Sequence, residues 1–94
     1  MYGAAPIKAS TVDYFASLDI PILGVYGMSE TTACVTMQSN RKFNLRSVGY
    51  TLGGTDLKID NPDEKGNGEI IFRGRNIMMG YLKNEQATRE TIDN

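Results

Sequence analysis

The sequence predicts a mixed α+β chain: a helix and a buried strand of the parallel type in the first half, short antiparallel strands in the second, and a closing helix. Three observations carry this prediction. Ala9, Val12, Phe15 and Ala16 recur at helical spacing, which is how one buried helix face reads. "IPILGVY", residues 20–26, is a nearly continuous apolar run halted by Gly27, the pattern of a strand covered on both faces. "TDLKID" then alternates Leu57 and Ile59 with Asp56, Lys58 and Asp60, and a turn-rich stretch separates it from "EIIFR"; two such runs form an antiparallel ribbon.

Taken in order, Gly3 to Pro6 is a turn, because glycine frees the backbone and the residue before a proline is biased out of the helical region. A helix is predicted over residues 8–18, then the strand over 20–26, with Pro21 confined to its start. Ser29 is placed to cap a short helix over residues 31–37. Residues 38–46, which include Asn40, Arg41, Lys42 and Asn44, read as an exposed loop. Strands are expected over 47–50, 55–60, with one wet face, and 69–73, the last two joined by "NPDEKGNG", dense in turn formers. Asn84 caps a final helix over 85–92, whose first residue, Glu85, suits the positive helix end.

Composition narrows the chemistry. The chain has 94 residues, 40% hydrophobic and 22% charged, with a formal net charge of −1, so no electrostatic attraction to nucleic acid is indicated. A chain of this size buries only somewhat over ~60% of its unfolded surface, which leaves little core. There is no histidine and Cys34 stands alone, which excludes a Ser-His-Asp triad, an internal disulfide and a cysteine-built zinc site. With no Asn-X-Ser/Thr acceptor, no apolar run long enough for a bilayer and no signal-peptide pattern at MYGAAPIKAS, an intracellular, reducing setting is expected. Both ends suggest a chain cut from a larger protein: "YGAAP" is loop-like and "TIDN" closes a helix without a glycine stop.

The concentrated chemistry is "VYGMSETT", residues 25–32, where an aromatic ring, a glycine, a carboxylate and three hydroxyls follow a strand. In α/β layers ligands collect beyond the carboxyl ends of strands. Each residue also has a plain reading: Glu30 as a helix-dipole partner, Ser29 as an N-cap, Tyr26 as a core-edge tyrosine with a wet hydroxyl, Gly3 to Ala5 as an ordinary turn.

"YGMSETT" resembles the Tyr-Gly-X-Ser/Thr-Glu signature of the adenylate-forming superfamily, which includes acyl-CoA synthetases, firefly luciferase and the adenylation domains of peptide synthetases. Three further motifs follow in family order: "GAAP" resembles the adenine-side loop, "SVG" the glycine-containing strand after the signature, and "GEIIFRGRNIMMGYLKNEQATRETID" the segment that closes the large domain. In detail this last segment is most similar to bubblegum-type long-chain acyl-CoA synthetases.

The resemblance implies an internal fragment of a long-chain fatty acid:CoA ligase. Residues 1–46 would be the end of an α/β nucleotide-binding layer and residues 47–94 a β-barrel-like subdomain segment with its closing helix, both within one N-terminal AMP-binding domain. It implies ATP, magnesium and, in the complete enzyme, coenzyme A. Gly3, Ala4 and Ala5 would line adenine, Tyr26 would stack on it, and Gly27 would let the backbone approach. Ser29 would contact the α-phosphate and Glu30 would bind magnesium, the two forming the catalytic part of the site. Glu69, Arg73, Gly80 and Tyr81 match family positions of architectural purpose, and Arg41, Lys42 and Arg46 read as a solvated loop, with an anionic membrane or coenzyme A phosphates as the alternative.

Implied partners are a fatty acid, ATP, coenzyme A and the remainder of the parent chain, without nucleic acid, in the cytoplasm or peripherally at an intracellular membrane. The family's phosphate loop, ribose-binding aspartate and catalytic lysine are not in this sequence, so the isolated chain is expected to be inactive. Two rivals stand: an adenylating enzyme for an aryl or amino acid, and a non-catalytic α+β binding module.

Overall fold

The computed structural model describes residues 1–93. Helix α1 (Ala9–Ser17) starts at Lys8, which makes no side-chain cap, and stops where Asp19 turns into the left-handed region (φ 60). Its inward face is led by Val12, only 2% exposed, and this matches the predicted helix.

The run over residues 20–26 contributes only its end to a strand. Strand β1 is Val25–Met28 and pairs antiparallel with β2 (Ala33–Met37), while the parallel pairing predicted for the run is present as one bridge between Tyr2 and Gly24. Coverage on both faces is also incomplete, since Ile20 is 49% exposed and, within the run, Gly24 alone is buried. The reason is the shortage of neighbours: Pro21 cannot donate to a ladder, and the described residues offer that edge only Tyr2.

The helix predicted over residues 31–37 is replaced by a turn and a strand. Ser29–Thr31 form a single 3-10 turn with Met28, not Ser29, at the cap position; Thr32 (φ 54) and Ala33 (φ 76) then reverse the chain and "ACVTM" becomes β2. Two consecutive left-handed residues are incompatible with a helix, and Val35 and Thr36 are stiff, β-branched strand formers. Val35 is fully buried. Strand β3 (Tyr50–Thr51) completes a sheet of order β1-β2-β3. It begins later than the predicted 47–50 because Gly49, at φ +94, bends the chain against the Met37 backbone.

Residues 38–46 form the predicted loop with one exception. Gln38 is 2% exposed; its Oε1 accepts the Gly24 N–H at 2.6 Å and its Nε2 donates to the Asn44 carbonyl. A buried amide is tolerated because both ends are satisfied, and it ties the loop to β1.

Strands β4 (Thr55–Asp60) and β5 (Glu69–Gly74) form the antiparallel ribbon expected, with Leu57 opposite Phe72 and Ile59 opposite Ile70. The alternation does not give one wet and one dry face: Leu57, Ile70 and Ile71 are 36–41% exposed. The two-stranded ribbon is covered only in part, with Phe72 meeting the Tyr26 ring, so apolar side chains on both its faces stay partly exposed. Helix α2 (Glu85–Thr91) has the predicted cap, Asn84 Oδ1 accepting the Ala87 N–H at 3.1 Å.

The ribbon's turn is organised by Asp63, whose Oδ1 accepts the backbone N–H groups of Asn67 and Lys65 at 2.8 Å. The Asn67 backbone N–H foremost, and the Asn67 side chain next, hold the Asp63 carboxyl below the ordinary aspartate value. With a depressed folded pKa, this contribution is complete above the unfolded value and is lost as pH falls through the folded one. Acidification through that range is expected to shift the Lys65 and Asn67 amide resonances together in NMR spectra, and Asp63→Asn to abolish the transition.

Candidate functional site

A cleft of about 660 Å³ opens beside β1, within the size range of small-molecule sites. One wall is the turn Gly3 to Pro6, the other is Val25, Tyr26 and Gly27; Val12 of α1 and the Arg46 to Val48 segment complete the lining. The turn reaches this position because Tyr2 brackets the strand, donating to the Leu23 carbonyl and accepting from the Val25 N–H, both at 2.9 Å. Contact is tight: a β-carbon on Gly3 would lie 2.5 Å from Val25 Cγ2. Five of the predicted residues, Gly3, Ala4, Ala5, Tyr26 and Gly27, therefore meet at one hollow.

Tyr26 is held on its other contacts by Phe72 of β5, the ring centroids 6.2 Å apart and the planes inclined by 30°. Packing and cleft lining thus coexist in this ring. Gly27 sits at an irregularity in the β1–β2 register, where a β-carbon would fall 1.9 Å from the Ala33 carbonyl oxygen.

Ser29 and Glu30 lie outside the cleft lining, in the 3-10 turn just beyond β1. That turn is fixed from within by Thr31, 2% exposed, whose hydroxyl accepts the Met28 N–H at 3.1 Å and lies 3.0 Å from both the Met28 and Ala33 carbonyls. It is fixed from outside by Asn76, which donates to the Thr31 carbonyl at 3.1 Å and accepts from the Thr32 hydroxyl at its own carbonyl at 2.7 Å. Asn76 Oδ1 also accepts from the Thr55 hydroxyl at 3.0 Å, so one residue joins the signature turn to the ribbon.

The Glu30 carboxylate accepts a hydrogen bond from the Tyr81 hydroxyl at 2.9 Å. Its own backbone N–H first, and Tyr81 second, hold it below the ordinary glutamate range; it is an anion at neutral pH. Among the described residues no group of three or more His, Cys, Asp or Glu side chains gathers as a metal site, so Glu30 belongs to no such cluster. Arg46 forms a bidentate pair with Asp13, both contacts 3.0 Å. The guanidinium is thereby committed at the cleft edge and is not part of a free basic patch.

Sequence reasoning passed over Asn76, Thr88 and Gln38. Their roles rest on contacts that the chain's order conceals, such as Asn76 to Thr31 across 45 positions.

Fold and site together define an α+β unit with a nucleotide-sized cleft beside a strand end and an ionised carboxylate just past it. A family model described as "AMP-binding enzyme" matches residues 1–82, and the chain belongs to this family. It is 46% identical over 91 residues to the long-chain-fatty-acid–CoA ligase ACSBG2 of Gallus gallus, covering 97% of this chain and 12% of that protein. Against ACSBG1 of Bos taurus it is 44% identical over 92 residues, covering 98% of this chain and 13% of that protein. The chain thus spans about an eighth of the length of the curated relatives it matches. Among solved structures, o-succinylbenzoate CoA synthetase (MenE) from Bacillus subtilis in complex with ATP and magnesium ion superposes with a TM-score of 0.76 at 26% identity, over 98% of this chain and 21% of that one. The superfamily resemblance, its bubblegum-type detail and the mixed helix-and-antiparallel-strand class all hold.

Proposed function

We propose that this chain is the signature-bearing part of an ATP-dependent long-chain fatty acid:CoA ligase, acting within a longer cytoplasmic polypeptide. The single observation that carries the reading is the meeting of Gly3, Ala4, Ala5, Tyr26 and Gly27 at one cleft, with ionised Glu30 three residues past its wall. The names of the relatives support the ligase class and the long-chain substrate.

The fit to an adenine is steric. The wall at residues 3–5 presents a glycine set hard against Val25 and two exposed alanines, so a flat base entering there meets backbone and methyl groups on one side and the Tyr26 ring on the other. The fit to magnesium is electronic. Glu30 offers hard carboxylate oxygens, and a single such ligand suits an ion that takes its remaining positions from phosphate oxygens and water. Bound there, magnesium would supply Lewis-acid polarisation of the phosphates.

The chain's own residues then do four things. Tyr26 and the 3–5 turn hold the base; Gly27 lets the β1 backbone run close to the nucleotide; Ser29, exposed at the start of the 3-10 turn, offers a hydroxyl to the α-phosphate; and Glu30 presents the carboxylate that would hold magnesium. These hold ATP while a fatty carboxylate attacks the α-phosphorus and pyrophosphate leaves. The acyl group of the resulting adenylate then passes to the thiol of coenzyme A and AMP leaves, with fatty acid and coenzyme A bound mainly by the remainder of the polypeptide.

The test is Tyr26→Ala in the complete ligase, read as ATP affinity by calorimetry. A base-stacking contribution on the order of 1–3 kcal/mol corresponds to a weakening of roughly 5- to 150-fold. Phe72→Leu, which removes only the ring's packing partner, is expected to change affinity far less. Unaltered ATP binding in Tyr26→Ala would remove the adenine role.

A further inference from the structure

Tyr81 enters the sequence reading as architecture, yet its hydroxyl is the side-chain donor that reaches the Glu30 carboxylate, 51 positions away. Contacts along the intervening segment show that this is a built arrangement. Asn76 grips the carbonyl of Thr31 and the hydroxyl of Thr32, immediately beyond Glu30. The Met78 N–H donates to the Glu30 carbonyl at 2.9 Å. The Tyr81 N–H donates to Thr88 Oγ1 at 2.9 Å, and that hydroxyl donates to the Asn84 carbonyl at 2.9 Å. Gly80 lies so close to α2 that a β-carbon would sit 2.7 Å from Thr88 Cγ2. The segment 76–81 is therefore pinned at one end to the signature turn and at the other to the first turn of α2, with both the backbone and the carboxylate of Glu30 held between.

We propose that Tyr81 is a positioning residue for Glu30: with its backbone N–H anchored on Thr88, its hydroxyl sets the carboxylate in the orientation that receives magnesium bound to ATP. The proposal rests on the magnesium reading of Glu30 and adds the device that orients the ligand. A carboxylate on a surface turn samples several rotamers, and a single donor of fixed position selects among them. Partners of a metal ligand act this way in general, and losing one typically weakens metal binding 10- to 100-fold. Here the donor is a neutral phenol 36% exposed to solvent, so the lower end of that range is expected.

The experiment is manganese binding to the complete ligase in the presence of a non-hydrolysable ATP analogue, followed by electron paramagnetic resonance, with analogue affinity without metal and the melting temperature measured alongside. Glu30→Gln tests the metal reading alone and is expected to lose most manganese affinity. Tyr81→Phe, which removes one oxygen atom, is expected to weaken manganese binding roughly 10-fold, with metal-free nucleotide affinity unchanged. Thr88→Val, which removes the anchor and leaves the phenol, is expected to move manganese affinity in the same direction by less. Wild-type manganese affinity in Tyr81→Phe, with Glu30→Gln defective, would overturn the role of Tyr81 and leave the metal reading standing. An equal loss of metal-free nucleotide binding in Tyr81→Phe would make the residue merely structural and overturn it too. No effect of Glu30→Gln would remove the metal role and this inference with it.

Discussion

Gly27→Ala is expected to destabilise the chain by about 3 kcal/mol or more, the upper end of what overpacking does. The added carbon would lie 1.9 Å from the Ala33 carbonyl oxygen and 2.5 Å from Cys34 Cα. Both obstacles are backbone atoms of the paired strand, so no rotamer change relieves them; the β1–β2 ladder must open. Native domains have roughly 5–15 kcal/mol of total stability, so such a loss is a large share of what holds a fold together. The turn carrying Ser29 and Glu30 hangs from this hairpin, and the site is lost with it. Gly53 supplies the control, because nothing lies within 4 Å of a β-carbon there; Gly53→Ala is expected to stay within about 0.5 kcal/mol of wild type. Urea unfolding of the two variants side by side checks the contrast, and equal midpoints would show that the strands do not approach as described.

Glu30→Gln in the complete ligase is expected to lower kcat/KM for ATP-dependent pyrophosphate release on the order of 100-fold or more, since a metal's charge stabilisation in the transition state is worth several kcal/mol. The substitution keeps size and one carbonyl oxygen and removes the negative charge that would attract magnesium. Its signature is a raised magnesium requirement, so part of the loss is recovered at high magnesium. Tyr81 can still donate to the amide oxygen, which leaves the turn intact and the melting temperature close to wild type. Activity within twofold of wild type at low magnesium would remove Glu30 from the phosphate chemistry.

These two predictions also divide what the residues disclose on their own from what they do not. Helix α1, the β4–β5 ribbon, its turn and the Asn84 cap were legible because each is decided by local rules: period 3.6, period 2, turn formers and a side-chain cap. The "ACVTM" strand was misread as helix because its short apolar pattern suits either period. The deciding facts were two left-handed residues, Thr32 and Ala33, and a partner strand, neither of which is printed in composition. The run over residues 20–26 was placed too early for a related reason: its hydrophobicity speaks of a covered strand, while the described residues supply a single parallel bridge from Tyr2.

For the candidate site the division is similar. The motif "YGMSETT" and its companions named Tyr26, Gly27, Ser29 and Glu30, and "GAAP" named the opposite wall, because chemistry at a strand end is written in residue types. Their relative placement is a property of the packed chain. Tertiary structure put five of these residues on one cleft, left Ser29 and Glu30 on the turn beyond it, and brought Asn76 and Tyr81 across some fifty positions to hold that turn.

By itself, then, the sequence determined the family, the mixed class and the residue types available for nucleotide chemistry, since these follow from motif order and local periodicity. Only the tertiary structure decided which of those groups share a hollow and which neighbour orients the carboxylate, because hydrogen bonds between distant segments depend on where the chain has folded back and no local preference encodes that meeting.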